Sequence, residues 1–398
     1  MNLYNSLKQH VEPLVVHDNH VGIYVCGVTP YDTTHAGHAF TFLTFDILVR
    51  YLRYLGHRVT YVQNVTDIDD DILRKSKELG MTWDELGRQE TEKYLADMRT
   101  LNALPFDHYL RATESVPEMV ALTETLVKAG YAYESKGNVY FSVASDAEFG
   151  KLSRIPSAEM LPIANERGNV PEDPDKRAAL DFVLWQAARP GEPTWDSPWG
   201  PGRPGWHIEC SAMAMKVLGP TVDIHGGGAD LIFPHHECEI AQSENATNVR
   251  PFSRYWMHVG MVEYLGEKMS KSLGNLVIAG NVLERNSADA FRLYLFSHHY
   301  RSEWEYMDDE IDDWETLAHD MYEAIETPSY AIGGDALDVD RHIDQFLIAM
   351  DNDLDTGSAI GHLRAITMEI LSADDTDTSA AQRELRTLGG ILGLALER

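Results

Sequence analysis

Two histidines and a glycine in the segment HAGH, residues 35–38, stand where a predicted strand passes into a predicted helix. The backbone N–H groups and the dipole at a helix N-terminus attract anions. Gly37 permits a close approach, and the imidazoles of His35 and His38 can donate hydrogen bonds to an oxyanion. The segment therefore predicts a site for a nucleotide phosphate, with simple helix capping as the alternative.

A second segment, KMSKS at residues 268–272, carries Lys268 and Lys271 three positions apart, with Ser270 between them. Two lysines, two hydroxyls and a following glycine predict a compact cationic loop. Such a loop can hold a triphosphate and stabilise the charge that develops as pyrophosphate leaves. A plain basic surface loop is the alternative, although a cationic cluster is unusual in a chain this acidic. The two segments together indicate a nucleotide site far more specifically than either segment does alone.

The three cysteines of the chain, Cys26, Cys210 and Cys238, are candidate metal ligands. His235 and Glu239 lie four residues apart, so that on a helix they share a face while Cys238 projects elsewhere. The two other thiolates with this imidazole and this carboxylate make a set that zinc accepts. The spacing is not that of a zinc finger, and Cys238 is interpreted as a small buried apolar residue.

Three consecutive glycines in HGGGAD, residues 225–230, follow another predicted strand. Without side chains, the backbone can lie flat against a ligand such as an adenine or a ribose. The candidate nucleotide contacts in this segment are Gly226, Gly227, Gly228 and Asp230. A plain tight turn is an equally good interpretation of the segment taken alone.

Hydrophobic periodicity predicts the elements that must position these residues. Residues 21–28 and 57–66 are β-rich apolar runs, and the segment 34–56 between them is predicted as a helix that Thr34 caps and Gly56 ends. Strand, helix and strand in this order form a βαβ unit, which predicts a parallel sheet with ligands at the carboxyl ends of its strands. Further strands are predicted at 137–143, 221–228 and 255–265.

The fold class predicted for the chain is α/β, followed by an all-α C-terminal domain. The catalytic domain is predicted in two halves, residues 1–110 and 201–305, the second of which contains the KMSKS loop. Residues 111–200 interrupt the alternation of strands and helices and are interpreted as a connective insertion. From about residue 305 the pattern is helical, so that residues 306–398 are predicted as the helical domain.

The charge balance is strongly acidic, because 33 lysines and arginines stand against 63 aspartates and glutamates, a net charge of −30. Such a chain gains little from non-specific attraction to phosphate backbones, so general nucleic-acid affinity is disfavoured as a function class. Residues 303–398 contain no lysine and five arginines against 24 acidic residues. This region is interpreted as a solvating acidic surface or as an end of the protein that touches no RNA.

Composition also predicts where the protein works. Three cysteines cannot form a disulfide framework, which favours a reducing compartment. The first residues lack the apolar core of a signal peptide, and no stretch approaches the ~18 apolar residues that a membrane span needs. We therefore expect a cytoplasmic protein with no membrane association. The protein is also expected to be a monomer, which the composition itself does not establish.

Five segments in order resemble the cysteinyl-tRNA synthetase family of class I aminoacyl-tRNA synthetases. They are YVCGVTPYDTTHAGHA, YVQNVTDIDD, GPGRPGWHIECSAM, DIHGGGADLIFPHHECEIAQSE and EKMSKSLGN, and together they span roughly residues 20–305. The resemblance implies a Rossmann-type parallel-sheet catalytic domain and a zinc-dependent cysteine site. It also implies ATP-driven formation of cysteinyl-AMP, with ATP bound together with Mg²⁺.

The resemblance also assigns roles to individual residues. It implies that one Zn²⁺ is bound by Cys26, Cys210, His235 and Glu239. It also implies that the residues of the two nucleotide signatures are catalytic, and these are His35, His38, Lys268 and Lys271. The positions that it places around the substrate cysteine or the adenylate are Gly27, Thr29, Thr41, Thr66, Trp206 and His225, and Asp230 lines the same site.

The resemblance leaves two acceptors open. Synthetases of the family usually carry an anticodon-reading domain beyond the helical domain, whereas this chain stops where such a helical domain normally ends. The paralogous mycothiol-pathway ligases share this truncation and pass activated cysteine to the amine of a glucosaminyl-inositol. The CGVTPYD block, with Pro30 and Phe40, is closer to those ligases.

Other segments are similar to the synthetases proper. Glu239 is present, whereas the mycothiol-pathway group tends to lack this fourth zinc ligand, and HHECEIAQSE and KMSKSLGN likewise resemble the synthetases. We therefore expect tRNA(Cys) as the acceptor, with a small amino sugar as the alternative. A non-catalytic paralogue is disfavoured because no signature residue is replaced.

Overall fold

The structure is a computed structural model that describes residues 1–31, 34–269, 274–329 and 334–397. Its strands are β1 (Asn2–Asn5), β2 (His10–Pro13), β3 (His20–Val25), β4 (Arg58–Val65), β5 (His108–Arg111), β6 (Ala132–Ser135), β7 (Asn138–Phe141), β8 (Phe182–Ala187), β9 (Gly202–Pro204), β10 (Val222–Gly228), β11 (Ser253–Val259), β12 (Val262–Tyr264), β13 (Glu267–Lys268) and β14 (Trp304–Glu305).

The helices in the same residues follow in chain order. They are α1 (Ala36–Tyr54), α2 (Asp70–Leu79), α3 (Trp83–Thr100), α4 (Val116–Ala129), α5 (Ser157–Glu166), α6 (Trp206–Leu218), α7 (Glu237–Thr247), α8 (Ala279–Leu283), α9 (Ala288–Phe296), α10 (Ile311–Glu326), α11 (Asp340–Asp351), α12 (Thr356–Leu371) and α13 (Ser379–Ile391). None of these helices combines the length and the apolar character that a membrane crossing requires.

A five-stranded sheet in the order β11–β10–β3–β4–β5 joins strands between residues 20 and 259, and all four strand pairs are parallel. The predicted βαβ unit is confirmed as β3, α1 and β4. The chain builds β4 and β5 outward from one side of β3 and later adds β10 and β11 on the other side. The strand order therefore reverses between β3 and β10, which is where open α/β sheets form a ligand crevice.

The first helix begins one residue later than predicted from its cap. His35, not Thr34, is the cap residue of α1, and its Nδ1 accepts a hydrogen bond from the backbone N–H of His38 at 3.4 Å. Thr34 is buried instead, and its carbonyl oxygen accepts from the N–H of Ala279 at 2.9 Å. Thr34 is thus held by a segment distant in sequence, and the ring one position later satisfies the helix end.

The single strand predicted at 255–265 is wrong, because the structure divides it into β11 and β12 in two different sheets. The break falls at Gly260, whose N–H donates to the carbonyl oxygen of Tyr300 at 2.7 Å. A Cβ at this position would lie 2.2 Å from the carbonyl oxygen of Ser302. The close approach of another backbone therefore turns the chain out of the central sheet, and β12 pairs with β13 and β14.

The segment between β5 and α6 forms a separate antiparallel sheet in the order β6–β7–β8–β9, accompanied by α4 and α5. The strand predicted at 137–143 is β7. A short antiparallel hairpin of β1 and β2, which is absent from the predicted elements, precedes the central sheet. The predicted helical pattern after residue 305 is confirmed by α10 to α13.

A wholly buried arginine connects the helix after β3 to the C-terminal helices. Arg292 in α9 donates from Nη2 to Oδ2 of Asp46 in α1 at 2.6 Å. Its Nε donates to the carbonyl oxygen of Leu392 at 2.8 Å, and its Nη1 donates to that of Leu101 at 2.7 Å. One guanidinium therefore joins the helix that carries the HAGH segment to the end of α13.

Candidate active site and metal centre

The carboxyl ends of β3 and β10 bring two sequence segments into direct contact. Cys26 is the first residue after β3, and its N–H donates to the carbonyl oxygen of Gly226 at 3.0 Å. Beside them His225 in β10 lies opposite Tyr24 in β3. The crevice where the strand order reverses is therefore bordered by the first candidate metal ligand and by the glycine-rich segment.

Four donor atoms, one from each of Cys26, Cys210, His235 and Glu239, lie within 4.8 Å of one another, and all four residues are buried. They come from four elements: the end of β3, α6, the helical turn Ile232–His236 and α7. Sγ of Cys26 lies 3.3 Å from Oε1 of Glu239, and Nε2 of His235 lies 3.2 Å from the same oxygen. The predicted ligand set is thus brought together.

The chemistry of this donor set fits a divalent cation. Burial raises the pKa of the Cys26 and Cys210 thiols and lowers the pKa of the His235 imidazole well below its usual range. Without a cation these groups are therefore held neutral. A buried Zn²⁺ favours the thiolate form, and two sulfurs, an imidazole nitrogen and a carboxylate oxygen are ligands that zinc prefers.

A second donor group overlaps the first. Cys26, His225, His236 and Glu239 also place one donor atom each within 4.8 Å of one another. His225 Nε2 lies 3.5 Å from the Cys26 sulfur and 3.4 Å from Oε2 of Glu239, while Nδ1 of His236 is 2.8 Å from Nε2 of His258. His225, predicted beside the substrate, thus contacts the metal-ligand candidates themselves.

His236 was missed by the sequence analysis. It stands three positions before Glu239, and its Nε2 lies 3.9 Å from Oε1 of that carboxylate. The spacings i,i+3 and i,i+4 both place a side chain on the face of Glu239, so PHHECE already contained this signal. The prediction rested on the i,i+4 spacing of His235 and Glu239 alone and did not include the i,i+3 neighbour.

Cys238 lies outside both donor groups in the described residues and is 1% exposed within an apolar cluster. We expect Cys238→Ala to retain its metal and nearly all activity and to lose about 1 kcal/mol of stability, since it removes one small buried group. Metal content by mass spectrometry and thermal unfolding measure both effects. Loss of the bound metal would show that Cys238 is a ligand.

The two histidines of the HAGH segment lie together at the N-terminus of α1. Their rings stack with centroids 3.8 Å apart. The same helix end is bonded to the chain that follows the KMSKS segment, because the N–H of Ala36 donates to the carbonyl oxygen of Val277 at 2.8 Å. Two motifs far apart in sequence are therefore joined through their backbones.

Lys268 connects the second signature to the glycine-rich segment. Its Nζ lies 3.4 Å from Oδ2 of Asp230, and Arg167, directly after α5, donates to the carbonyl oxygen of Asp230 at 2.6 Å. Two cationic side chains thus converge on the end of HGGGAD. Ser270 and Lys271 lie outside the described residues.

The predicted glycine positions are crowded by other parts of the protein. A Cβ on Gly27 would lie 1.6 Å from the carbonyl oxygen of Asn64, whose own Oδ1 accepts the N–H of Gly27 at 2.9 Å. In β10 a Cβ on Gly226 would lie 2.2 Å from Phe45, and one on Gly227 would lie 2.8 Å from Leu231. The backbone here therefore excludes every residue larger than glycine unless its neighbours shift.

The remaining predicted substrate residues have different surroundings. Trp206, half-buried at the start of α6, stacks on His235 with ring centroids 4.4 Å apart, and Thr66 is buried directly after β4. Thr29 is half-buried, beyond Cys26 and Gly27 in the same loop. Thr41 lies one turn inside α1, where its hydroxyl donates to the carbonyl oxygen of Gly37 at 3.0 Å. Among these four residues, Trp206 stacks on a candidate metal ligand, whereas the threonines form hydrogen bonds with other groups in the described residues.

Comparison with known proteins identifies the family to which this architecture is similar. Residues 12–316 match the family described as tRNA synthetases class I (C) catalytic domain. The chain is 42% identical over 400 residues to a cysteine–tRNA ligase of Dehalococcoides mccartyi, covering 100% of this chain and 86% of the relative. It is 45% identical over 403 residues to a cysteine–tRNA ligase of Photorhabdus laumondii, with coverages of 99% and 85%.

Two further similarities bear on the fold and on the acceptor. An L-cysteine:1D-myo-inositol 2-amino-2-deoxy-alpha-D-glucopyranoside ligase of Thermomonospora curvata is 41% identical over 400 residues, covering 96% of this chain and 95% of that protein. Mycobacterium tuberculosis methionyl-tRNA synthetase with methionyl-adenylate superposes with a TM-score of 0.67 at 16% identity, over 94% of this chain and 88% of the other. The methionyl-tRNA synthetase therefore has the same fold as this chain. The chain therefore belongs to the tRNA synthetase class I (C) family and is an ATP-using ligase.

Proposed function

We propose that the chain is a cysteine–tRNA ligase, which activates L-cysteine with ATP to cysteinyl-AMP and transfers the cysteinyl group to tRNA(Cys). The observation that carries this proposal is the buried set of Cys26, Cys210, His235 and Glu239, within 4.8 Å of one another at the crevice of the sheet. Relatives named as cysteine–tRNA ligases at 41–45% identity support it.

These four residues would hold one Zn²⁺. When bound, the ion supplies a ligand position that a substrate thiolate occupies far more readily than a serine hydroxyl does. The stacking of Trp206 on His235 fixes the orientation of that imidazole and closes one side of the set. A site built around one substrate group can discriminate about 10⁴-fold without editing.

The nucleotide would lie between the two signatures, as ATP with Mg²⁺. His35 and His38 at the N-terminus of α1 would bind phosphate oxygens, and Lys268 and Lys271 would stabilise the departing pyrophosphate. The adenosine contacts in this proposal are Gly226, Gly227, Gly228, Asp230 and Ser270. These residues position the reactants and stabilise charge, and adenylation requires no side chain that transfers a proton.

The substrate cysteine and its adenylate would be surrounded by residues of the same crevice. Backbone at Gly27, side chains of Thr66 and Trp206, and the imidazole of His225 form the inner part of this proposed pocket. Thr29 and Thr41 would lie farther out. Since the Thr41 hydroxyl already donates within α1, its contribution would be a packing contact.

Replacement of Lys268 by alanine tests the cationic loop. Its ammonium group is half exposed and 3.4 Å from Asp230, so Lys268→Ala removes charge without opening a cavity. We expect pyrophosphate exchange to slow about 10²-fold, with a modest change in the KM for cysteine, because the lysine acts on charge that develops in the transition state. Lys128→Ala is the matched control, since Lys128 is an exposed lysine paired with Glu124 at 3.1 Å. Equal exchange rates in both variants would contradict the role.

A second candidate function is transfer of activated cysteine to the amine of a small amino sugar. Its support is the relative from Thermomonospora curvata, whose 41% identity is close to the 41–45% of the cysteine–tRNA ligases. Identity therefore does not separate the two acceptors. Complete retention of the zinc-type donor set, including Glu239, supports the tRNA acceptor.

Transfer of radiolabelled cysteine separates these functions. The enzyme is incubated with ATP and [³⁵S]cysteine, and either total tRNA or the glucosaminyl-inositol amine is added. We expect label in acid-precipitable tRNA and none on the amino sugar. Label on the amino sugar alone would establish the second function. Label on neither acceptor, with intact pyrophosphate exchange, would contradict both transfers while keeping cysteine activation.

A further inference from the structure

Two histidines on adjacent helices of the C-terminal domain meet far in sequence from the catalytic signatures. His342 lies in α11 and His362 in α12, and their Nδ1 atoms are 3.2 Å apart. The ring planes are inclined at 43° with centroids 5.5 Å apart, so that the rings converge through one nitrogen each and do not stack. Both side chains are half-buried, which leaves the pair accessible from solvent.

A carboxylate lies on the opposite edge of the first ring. Oε1 of Glu369, also in α12, is 3.3 Å from Nε2 of His342. The second oxygen, Oε2, is shielded from solvent and accepts no hydrogen bond from the described residues. An Nε2–H that donates to a carboxylate leaves Nδ1 of the same neutral ring unprotonated. Glu369 therefore directs the lone pair of His342 Nδ1 toward His362.

The separation of the two Nδ1 atoms agrees with coordination to one ion. Imidazole nitrogens at 2.0–2.1 Å from a tetrahedral zinc are about 3.3 Å from each other. The 3.2 Å separation between His342 and His362 thus needs little adjustment. A carboxylate on the far nitrogen of a ligating histidine is also the usual outer partner in such sites.

The charge of the surroundings favours a cation. Residues 303–398 contain 24 acidic residues against five arginines. The positive charge of Arg341, next to His342, opposes the attraction of a cation locally. The carboxylate of Glu369 offsets that charge at the histidine pair. The summed field of the helical domain therefore attracts a divalent ion to its surface.

We propose that His342 and His362 bind one divalent transition-metal ion of the class that prefers imidazole, such as Zn²⁺, Ni²⁺ or Cu²⁺, through their Nδ1 atoms. Glu369 is a positioning residue that fixes the tautomer of His342. Water completes the coordination, and the ion links α11 to α12. The competing interpretation is a plain hydrogen bond in which His362 donates to His342.

The test is calorimetric titration with Ni²⁺ of the full chain, purified without a polyhistidine tag and carrying its own tightly bound metal. We expect one additional saturable site per chain, abolished in His362→Gln and in His342→Gln. Glu369→Gln should bind about tenfold more weakly, as replacement of an outer partner does. His319→Gln is the matched control, because His319 is an exposed histidine on α10 outside the pair, and it should bind like the unmodified chain.

Thermal unfolding provides an independent measurement. Added Ni²⁺ should raise the melting temperature of the unmodified chain and of His319→Gln, but not that of His362→Gln, since only a ligand of the folded state stabilises it. Identical titrations of the unmodified chain and His362→Gln would overturn the proposal. So would the absence of saturable binding below 1 mM Ni²⁺, which is the result expected for a plain hydrogen bond.

Discussion

Cys210→Ser is expected to lose the bound metal and nearly all cysteine activation while remaining folded. The sulfur of Cys210 belongs to the donor set with Cys26, His235 and Glu239, and it is 2% exposed. A serine hydroxyl has a similar shape and is a poor zinc ligand. Removing one of four ligands therefore destroys the site with little change in packing. Metal analysis by mass spectrometry, with circular dichroism as the folding control, measures the result.

A comparison with a variant of His236 tests which of the two donor groups would bind the proposed ion. His236→Gln removes a donor from the group that also contains His225, and it leaves the group with Cys210 complete. We expect it to retain one zinc per chain. If His236→Gln lost its metal while Cys210→Ser kept one zinc per chain, the assignment of ligands would be wrong. In Cys210→Ser any remaining pyrophosphate exchange should also discriminate less between cysteine and serine.

Asp46→Asn is expected to destabilise the protein by about 3–5 kcal/mol, because it leaves the buried guanidinium of Arg292 without its counterion. Arg292 is 0% exposed and Asp46 1% exposed, and their polar atoms are 2.6 Å apart. Burial lowers the pKa of Arg292, although its charge is retained beside the carboxylate. The melting temperature should fall by several degrees in thermal unfolding.

Replacing Arg292 should lower the free energy of unfolding by less than replacing Asp46 does. In Arg292→Met the carboxylate of Asp46 keeps Arg50, whose Nε donates to it at 3.0 Å. The double variant should be more stable than the sum of the single effects predicts, since both charges are then removed. Asp84→Asn, which breaks an exposed pair with Arg88, is the control and should be nearly neutral. If Asp46→Asn and Asp84→Asn had the same melting temperature, the buried pair of Asp46 and Arg292 would not stabilise the fold.

Local patterns predicted much of the fold correctly. The apolar runs gave β3, β4 and β10, and the segment between the first two gave α1, because periodicity and turn residues are properties of the chain itself. The errors lie where distant backbone intervenes. Gly260 ends β11 because the chain near Ser302 crosses it, and the residue before α1, Thr34, bonds through its carbonyl oxygen to Ala279 while His35 is the cap. Neither neighbour could be identified from nearby sequence.

In the candidate site, too, local sequence predicted some features and distant contacts decided others. Residue types and the spacing of His235 and Glu239 predicted a zinc-type set, and the structure brings its four members together. The domain boundaries and the roles of the substrate residues stay predictions. His236 was overlooked because sequence spacing places it near Glu239 as readily as His235 and offers no means of choosing between them.

The sequence by itself determined the chemistry available to this protein: which side chains could bind a metal or a phosphate, and where most of the strands and helices form. Only the tertiary structure decided which of these groups meet. The reversal of strand order between β3 and β10 places Cys26 against Gly226, and the packing of α11 on α12 places His342 against His362. Such contacts depend on where separate elements pack, which local spacing does not encode.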